Sequence, residues 1–317
     1  MEYTSLKGYR ISKLTLGTVA LGMEYGISNS EGQPTEKEAR DVLACALNNG
    51  INSIDTARTY GKSEQLIGDF FESEYKKTLP TIITKFKISD ENLINKDKVR
   101  REVYESVKTS IDNLKLKKLP ICLFHNNRKL AVEKVLDILP NLMEDLKSDN
   151  LIDVAGVSFD HPSEAPFFLD YEIFNAFQVP INLFDTRIIQ SGCLEKMRAM
   201  NKIVFARSVF LQGLFFMAPE QLQGDLIDAA VYLRILRKIV NSAQISIAQL
   251  AFSFVNHLDG VTSIVFGAVT PAQVEQNVGM VNYKPLKDEV KQLIKNYFDK
   301  VPEHIITPGL WPSIKTK

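Results

Sequence analysis

Three short apolar segments of this sequence are each followed directly by an ionisable residue. The three combinations are residues 51–54 with Asp55, residues 81–84 with Lys85, and residues 121–124 with His125. Tyr60 follows five residues after Asp55. In a parallel α/β barrel, the carboxyl ends of the strands meet at one rim, where active sites are built. The pattern therefore predicts a single site that contains Asp55, Tyr60, Lys85 and His125.

Apolar runs of strand length alternate with longer amphipathic segments along most of the chain. The predicted strands cover residues 14–18, 51–55, 81–85, 119–125, 153–158, 176–179, 202–207 and 261–267. Eight such units predict the α/β class and a closed (β/α)8 TIM barrel rather than an open sheet. Since no Pro/Ser-rich linker interrupts the chain, we expect one domain over residues 1–317, although length alone would also allow two.

Sequence signals also mark several boundaries. Thr35 followed by Glu38 is typical of a capping box, and the Asn49-Gly50 pair is a helix stop. Ser63 is predicted to cap the next helix, and Pro271 to open the helix after the last strand. The segment around Gly8 is predicted to form a hairpin at the barrel floor. A tail from about residue 286 is expected to cover one face or an entrance of the barrel.

Composition limits the class of partner and the compartment. The chain has 38 basic and 38 acidic residues and a formal net charge of zero, which does not favour nucleic acid or another polyanion. No apolar run approaches the ~20 residues of a membrane span, and no signal peptide is visible. The three cysteines are far apart in the sequence, which is typical of a reduced compartment. We expect a cytoplasmic protein that acts on a small molecule without a membrane or nucleic-acid partner.

The four candidate residues suit protonation of a carbonyl oxygen. A free phenol has a pKa near ~10, and a neighbouring cation such as Lys85 would lower that pKa. Asp55 would keep Lys85 charged, and His125 would hydrogen-bond the reacting oxygen. The competing structural interpretation is a buried Asp–Lys pair covered by a tyrosine.

Two other chemistries of this barrel fit the sequence less well. A metal hydrolase needs several ligands at the rim, whereas His161, His257 and His304 lie away from the predicted strand ends. We therefore expect no metal. A Schiff-base aldolase would use Lys85, but an adjacent Asp55 would raise the pKa of that amine and oppose such a role.

The same residues resemble the aldo-keto reductase family over about residues 14–281. The most specific match is a D-T-A-x-x-Y-G-x-S-E stretch at residues 55–64. Further matching segments are Gly17-Thr18, residues 50–54, residues 156–158 and residues 267–277. The resemblance implies a (β/α)8 barrel that binds NADP(H) in an extended form without a Rossmann domain. In agreement, the chain contains no G-x-G-x-x-G motif.

The resemblance also implies a role for each matching position. Tyr60 would be the general acid, Lys85 and Asp55 the pair that lowers its pKa, and His125 the residue that orients the substrate. The nicotinamide would supply hydride from C4. The implied cofactor-binding residues are Gly17, Thr18, Asp55, Ser158, Gln178, Arg207, Ser208, Gln212, Gly267, Thr270, Gln273, Gln276 and Asn277. Among these, Ser158 and Gln178 would hold the carboxamide, Ser208 and Gln212 the pyrophosphate, and the last five positions the adenosine half.

The sequence departs from the family pattern at three places. Phe159 replaces the Asn that usually follows the serine of the fifth strand. Arg207 stands where a tyrosine commonly stacks on the nicotinamide, with a salt bridge at the rim as its alternative role. Gly267 and Gln273 replace the Lys and Arg that clasp the 2′-phosphate of NADPH. We therefore expect NADP(H) to bind with a weakened preference, so that NAD(H) is also used.

The predicted function is reduction of an aldehyde or ketone to an alcohol by an NAD(P)H-dependent enzyme. A polar loop over residues 23–34, which includes Tyr25, Asn29, Ser30 and Glu31, favours a hydroxylated carbonyl such as a sugar. The alternative is a nicotinamide-binding regulatory or redox-sensing subunit with little turnover, as some family members are. Fold alone does not choose between these functions.

Overall fold

The structure is a computed structural model that describes residues 1–27, 31–74, 78–126 and 130–311. Its strands are β1 (Tyr3–Leu6), β2 (Tyr9–Ser12), β3 (Leu14–Gly17), β4 (Ser53–Asp55), β5 (Thr81–Phe86), β6 (Leu119–His125), β7 (Ile152–Ser158), β8 (Phe174–Pro180), β9 (Ile203–Arg207) and β10 (Ser263–Gly267). Its first seven α-helices are α1 (Val19–Gly22), α2 (Glu36–Asn48), α3 (Ser63–Ser73), α4 (Lys96–Leu114), α5 (Val132–Leu136), α6 (Leu139–Ser148) and α7 (Ala165–Leu169). The others are α8 (Arg187–Gln190), α9 (Cys193–Ala199), α10 (Ala229–Ala243), α11 (Ile247–Asn256), α12 (Pro271–Met280), α13 (Asp288–Phe298) and α14 (Glu303–Ile306).

Strands β3 to β10 form a closed parallel barrel in sequence order, with β10 paired to both β9 and β3. All eight strands of the predicted (β/α)8 barrel are present, and the fold class is confirmed. The largest shifts in bounds are of two residues, at the starts of β4, β8 and β10. The helices lie outside the barrel, where their apolar faces share one large core with the outward-facing strand residues.

The N-terminal hairpin closes the bottom of the barrel, as the sequence predicts. Strands β1 and β2 pair in antiparallel fashion around Lys7 and Gly8, and both turn residues have positive φ. Ile11 of the hairpin is fully buried in a second apolar cluster with side chains from inside the barrel, among them Ile83, Ile121 and Phe205. The barrel interior below the candidate site is therefore filled and closed to solvent from this side.

Helix α2 begins at the predicted capping box, because Thr35 accepts a bond from the Glu38 amide and the Glu38 side chain accepts one from the Thr35 amide. The prediction for Ser63 is wrong, since Lys62 precedes α3 and Ser63 is its first helical residue. The Ser63 hydroxyl instead donates to Thr18 Oγ1 at 2.6 Å and lies 3.0 Å from Thr56 Oγ1. It ties the start of α3 to the ends of β3 and β4.

The C-terminal tail packs on the rim of the barrel where the strands end. The sequence did not indicate which face of the barrel the tail covers. Phe298 of α13 lies 4.7 Å, between ring centroids, from Phe184 in the loop after β8. In α14, Glu303 pairs with His161 after β7 at 3.2 Å and with Arg187 after β8 at 3.8 Å. The organisation into one domain stays a prediction.

Gly156 provides a test of barrel packing. A Cβ atom at this position would lie 1.9 Å from the carbonyl oxygen of Ala176 on the neighbouring strand, so the backbone would have to move. We expect Gly156→Ala to lower the free energy of unfolding by about 1–3 kcal/mol or more. Gly279→Ala is the control, because α12 has open space there and the change should be neutral or stabilising. Equal urea midpoints for the two variants would contradict this account.

Candidate active site

Asp55, Lys85 and Tyr60 meet at the mouth of the barrel. The Lys85 ammonium donates to Asp55 Oδ1 at 2.7 Å and to the Thr56 carbonyl oxygen at 2.8 Å. It also lies 3.5 Å from the Tyr60 hydroxyl and 4.9 Å from the centroid of its ring. The three residues that the sequence placed in one site are therefore in hydrogen-bonding contact.

The backbone around Tyr60 is held by close contacts with the end of β3 and with α1. The Thr18 amide and hydroxyl both donate to the Asp55 carbonyl oxygen at 2.9 Å. A Cβ at Gly22 would lie 2.0 Å from the Tyr60 carbonyl oxygen, and Gly61 has a φ of +56°. Helix α1 therefore approaches the Tyr60 loop so closely that only glycine fits at position 22.

Burial dominates the electrostatics of this group. It lowers the pKa of Lys85, an effect that the negative charge of Asp55 opposes. Burial also raises the pKa of Tyr60, and Asp55 raises it further, whereas Arg207 lowers it. The direction for Tyr60 is opposite to the sequence-based expectation, because burial, together with the negative charge of Asp55, outweighs the lowering effect of nearby positive charge. The phenol therefore keeps its proton throughout the neutral range.

His125 ends β6 in register with Ser158 of β7. Its Nδ1 is buried and has no hydrogen-bond partner among the described residues. Burial lowers the pKa of His125 well below its usual value, and the nearby charges of Lys85, Lys87 and Arg207 lower it further. At neutral pH the imidazole is therefore uncharged, and it can donate or accept one hydrogen bond at the barrel mouth.

A chain of polar contacts extends from the triad across the barrel mouth. Gln178 Nε2 donates to Asp55 Oδ1 at 2.7 Å, and the Ser158 hydroxyl donates to Gln178 Oε1 at 3.2 Å. Ser158 and Gln178 are in register on β7 and β8. Gln178 is therefore linked directly to Asp55, and Ser158 is linked to it through Gln178.

Phe159 and Arg207 show how two of the departures are accommodated. The Phe159 ring is fully buried and contacts Phe168 and Phe177 in the outer core. Its carbonyl oxygen accepts a bond from Arg207 Nη2 at 2.7 Å, and the same nitrogen pairs with Asp160 Oδ1 at 2.6 Å. The guanidinium is thus fixed by a salt bridge at the rim, which is the alternative role that the sequence indicated.

The loop after β9 has a backbone suited to an anion. Ser208, Leu211 and Gln212 have positive φ values of 61°, 47° and 52°, followed by Gly213 at 94°. Such strain in non-glycine residues is uncommon and concentrates at functional sites. Successive left-handed residues can also turn backbone N–H groups towards a common anion. The Gln212 side chain donates to the Tyr25 hydroxyl at 3.0 Å, which joins this loop to the one after β3.

The remaining predicted cofactor residues lie on β10 and α12, on the side of the mouth next to β3. Gly267 is in register with Gly17, and open space surrounds the position that its Cβ would occupy. Thr270 caps α12 by accepting from the Gln273 amide, while Gln273 Oε1 accepts from the Val269 amide. Gln276 is exposed, and the buried Asn277 Oδ1 has no partner among the described residues.

Sequence reasoning missed several contributors to the site. The Thr56 carbonyl oxygen is a ligand of the Lys85 ammonium, and backbone atoms give no residue-type signal. Glu64 is a buried carboxylate that accepts from Thr84 Oγ1 at 2.7 Å, behind the site. Glu64 is the last residue of the D-T-A-x-x-Y-G-x-S-E stretch, and this position could have marked it as a residue near the site. Asn29 and Ser30, which the substrate-loop prediction includes, lie outside the described residues.

Within the described parts of the chain, no helix is long and apolar enough to cross a membrane. The same residues contain no group of three or more His, Cys, Asp or Glu side chains that could hold a metal ion.

Comparison with known proteins agrees with this geometry. The sequence profile of the Aldo/keto reductase family matches residues 13–297. The chain belongs to the aldo/keto reductase family. It is accordingly an NAD(P)H-dependent oxidoreductase of a family that acts on small carbonyl compounds.

Two curated proteins are similar in sequence to this aldo/keto reductase. "Aldo-keto reductase YhdN" from Bacillus subtilis (strain 168) is 27% identical over 197 residues, which cover 60% of this chain and 57% of that protein. The chain therefore matches little more than half the length of this relative. The "Probable voltage-gated potassium channel subunit beta" from Arabidopsis thaliana is 21% identical over 333 residues, which cover 93% of this chain and 97% of that protein.

Solved structures share the fold. The holo form of aldo-keto reductase AKR11C1 from Bacillus halodurans superposes with a TM-score of 0.75 at 20% identity, covering 96% of this chain and 99% of that one. The glycerol dehydrogenase AKR11B4 from Gluconobacter oxydans superposes with a TM-score of 0.72 at 21% identity, covering 94% and 97%. At these identities the likeness concerns the barrel architecture.

The depressed pKa of His125 makes stability depend on pH. An unfolded histidine takes up a proton near pH ~6.5, whereas folded His125 does so only well below that pH. The unfolded state therefore binds more protons below pH ~6.5, and the free energy of unfolding falls there by up to about 1.4 kcal/mol per pH unit from this residue. Urea unfolding between about pH 7.5 and 5.5 should show a smaller slope in His125→Gln than in the wild type.

His304→Gln serves as the control for this measurement. His304 is on the tail with 41% of its side chain exposed, so its replacement controls for the loss of a histidine outside the site. Its removal should leave most of the pH dependence unchanged. An identical slope in the wild type and His125→Gln would show that His125 does not titrate as described.

Proposed function

We propose that this enzyme reduces an aldehyde or ketone to an alcohol, with Tyr60 as the proton donor. The observation that carries the proposal is the contact of the Tyr60 hydroxyl with the Lys85 ammonium, which Asp55 holds in place. The raised pKa of Tyr60 suits an acid, because the phenol is fully protonated before reaction. A purely structural ion pair would not require a half-buried phenol against the ammonium at the end of the barrel.

Lys85 acts when the proton leaves. As the phenol becomes a phenolate, negative charge develops on an oxygen 3.5 Å from a positive charge that is already oriented. Preorganised charges in a site shielded from water are strong contributors to catalysis, because they need not reorient during the reaction. Asp55 and the Thr56 carbonyl fix the ammonium, so Lys85 needs no further movement to stabilise the phenolate.

His125 would orient the substrate in its uncharged form. A neutral imidazole can donate one hydrogen bond to the carbonyl oxygen without bringing a charge that competes with Tyr60 for the proton. The buried Nδ1 without a partner is consistent with a side chain whose hydrogen bonds are completed by a bound molecule.

The residues around the mouth fit a dinucleotide cofactor. When bound, a reduced nicotinamide supplies the hydride that the carbonyl carbon receives. Ser158 and Gln178 would hold its carboxamide, since Gln178 contacts Asp55 and Ser158 contacts Gln178. The left-handed backbone at Ser208 and Gln212 would bind the pyrophosphate. Gly17, Thr18, Gly267, Thr270, Gln273, Gln276 and Asn277 remain the proposed contacts along β3, β10 and α12, with Arg207 at the rim.

The surroundings of Thr270 support use of NADH as well as NADPH. A cavity of about 280 Å³ opens beside Thr270 and Pro271. Glu31, Glu38 and Asp41 line it, and its described lining residues include no lysine or arginine. Carboxylates would repel the 2′-phosphate of NADPH, while the N-terminal amides of α12 attract it. We therefore propose that the enzyme discriminates weakly between the two cofactors.

The second candidate function is a nicotinamide-binding subunit that regulates a partner. The observation that favours it is the full-length likeness to a protein described as a probable potassium channel subunit beta. Single-turnover and multiple-turnover rates distinguish the two functions, because a sensor would oxidise bound reduced cofactor once and then stall. Contact of Lys85 with both Asp55 and Tyr60 leads us to prefer the enzyme that turns over.

The proposed substrate is polar and hydroxylated. Tyr25 and Arg207 present polar groups at the mouth, where Gln212 and Asp160 orient them. We also retain the prediction of a cytoplasmic location. A panel of sugars, short aldehydes and aromatic aldehydes, followed by loss of reduced-nicotinamide absorbance, measures the substrate preference.

Replacing the proton donor tests the mechanism. Tyr60→Phe removes the acidic proton and should lower kcat for carbonyl reduction by roughly 10²–10⁴-fold. Lys85→Met should cause a loss of similar size, because the phenolate then lacks its stabilising charge. Cofactor affinity of Tyr60→Phe, measured by fluorescence titration, should stay close to that of the wild type.

Tyr297→Phe is the matched control, since this tyrosine is 51% exposed on α13. It should retain full activity. Substantial kcat in Tyr60→Phe would exclude Tyr60 as the proton donor. Normal activity in Lys85→Met would exclude the assistance by the ammonium.

Cofactor preference forms an independent test. We expect Kd values for NADPH and NADH that differ by much less than a thousandfold, which corresponds to about 4 kcal/mol. Gly267→Lys fits the open space at this position and should strengthen NADPH binding by about 1.5–3 kcal/mol through a charge-assisted bond. Gly279→Lys adds the same charge about two helical turns from the start of α12 and should have little effect. A wild-type preference for NADPH of a thousandfold or more would contradict weak discrimination.

A further inference from the structure

Lys87 occupies a position beside His125 that the mechanism above does not use. Strands β5 and β6 pair with Lys85 opposite Leu123 and Phe86 opposite Phe124. One residue further along, Lys87 and His125 are the next pair of neighbours across the two strands. Adjacent strands lie about 4.8 Å apart in a sheet. Lys87 therefore stands one layer above Lys85, at the level of the residue proposed to orient the substrate.

The burial pattern shows which way the Lys87 side chain points. Phe86 and Ile88 are each 1% exposed and pack in the outer core between the barrel and the helices. Lys87 lies between them and is exposed. Because side chains alternate along an extended chain, Lys87 is on the side opposite to that core. This is the side on which Lys85 reaches Tyr60, namely the mouth of the barrel.

Lys87 differs from the other cations at the mouth in its lack of a carboxylate partner. Lys85 is paired with Asp55, and Arg207 is paired with Asp160. Across residues 1–27, 31–74, 78–126 and 130–311, no ion pair includes Lys87. Its charge reaches into the site, since it contributes to the low pKa of His125 after burial and Lys85. Among the described residues, Lys87 therefore places an uncompensated positive charge next to the proposed carbonyl position.

We infer that Lys87 is a specificity-determining residue that binds an anionic group, a carboxylate or a phosphate, on the carbonyl substrate. The inference rests on the proposed reduction and narrows its substrate class from polar carbonyl compounds to negatively charged ones. An anion bound at Lys87 would lie within a few ångströms of a carbonyl at His125 and Tyr60. The charged group and the reacting carbon are accordingly separated by only a short carbon chain.

Two matched substrate sets test the inference. Glyceraldehyde 3-phosphate is compared with glyceraldehyde, and succinic semialdehyde with butanal, so that phosphate and carboxylate are examined separately. The wild-type enzyme should show a higher kcat/KM for the anionic member of at least one set. Lys87→Met should lower that kcat/KM at least tenfold, mainly through KM, and change the neutral member less than twofold. Lys87→Arg should restore most of the preference, because it restores the charge.

Lys295→Met is the control, because Lys295 is an exposed lysine of α13 outside every described ion pair. It removes the same charge from the surface and should leave both ratios unchanged. An anionic-to-neutral ratio of kcat/KM that is the same in the wild type and Lys87→Met would overturn the inference while leaving the proposed reduction intact.

Absence of wild-type reduction of all four compounds with both cofactors would instead count against the proposed function. Titration calorimetry of the cofactor complex with 3-phosphoglycerate and with succinate then decides the role of Lys87. At least tenfold weaker binding of either anion to Lys87→Met would support it. Equal binding, or no binding to the wild type, would overturn it.

Discussion

Asp55 and Lys85 form an ion pair that is almost entirely removed from solvent, with 5% and 0% of their side chains exposed. Burying two charges costs several kcal/mol per ion, and their attraction offsets this only when further hydrogen bonds satisfy the groups. The Thr56 carbonyl oxygen and the Gln178 amide supply those bonds. This pair connects the rest of the site, because Lys85 contacts the Tyr60 hydroxyl and Asp55 accepts a hydrogen bond from Gln178.

The barrel was predictable from the sequence, as was the contact of Asp55 and Tyr60 with Lys85, whereas the arrangement of the loops was not. Strand ends carry a local signal: an apolar run of strand length stops at Asp55, Lys85 or His125, and the barrel topology brings such ends together. The direction of the Tyr60 pKa had no such signal, because it depends on how completely the site excludes water. The partner of Arg207 is also a matter of loop geometry, since Asp160 reaches it only after the chain turns at Phe159.

The site divides into a rigid part on the strands and a variable part on the loops. Asp55, Lys85, Ser158 and Gln178 are fixed by strand register and by mutual hydrogen bonds, which suits chemistry that is the same for many carbonyl compounds. The residues that we propose to distinguish one carbonyl compound or cofactor from another lie at the strand ends or just beyond them. Arg207 and Gly267 end β9 and β10, and Lys87 follows β5. Arg207 and Gly267, where the sequence departs from the family pattern, make no hydrogen bond to Asp55 or Lys85 among the described contacts.

The contact between α1 and the Tyr60 loop limits how this protein can diversify. A side chain at Gly22 would collide with the Tyr60 carbonyl oxygen, and Gly61 turns the chain directly afterwards. Laboratory evolution aimed at the segment that follows α1 is therefore expected to accept many exchanges from residue 23 onwards but to reject them at residue 22. Libraries built to broaden substrate range would gain from keeping that single codon constant.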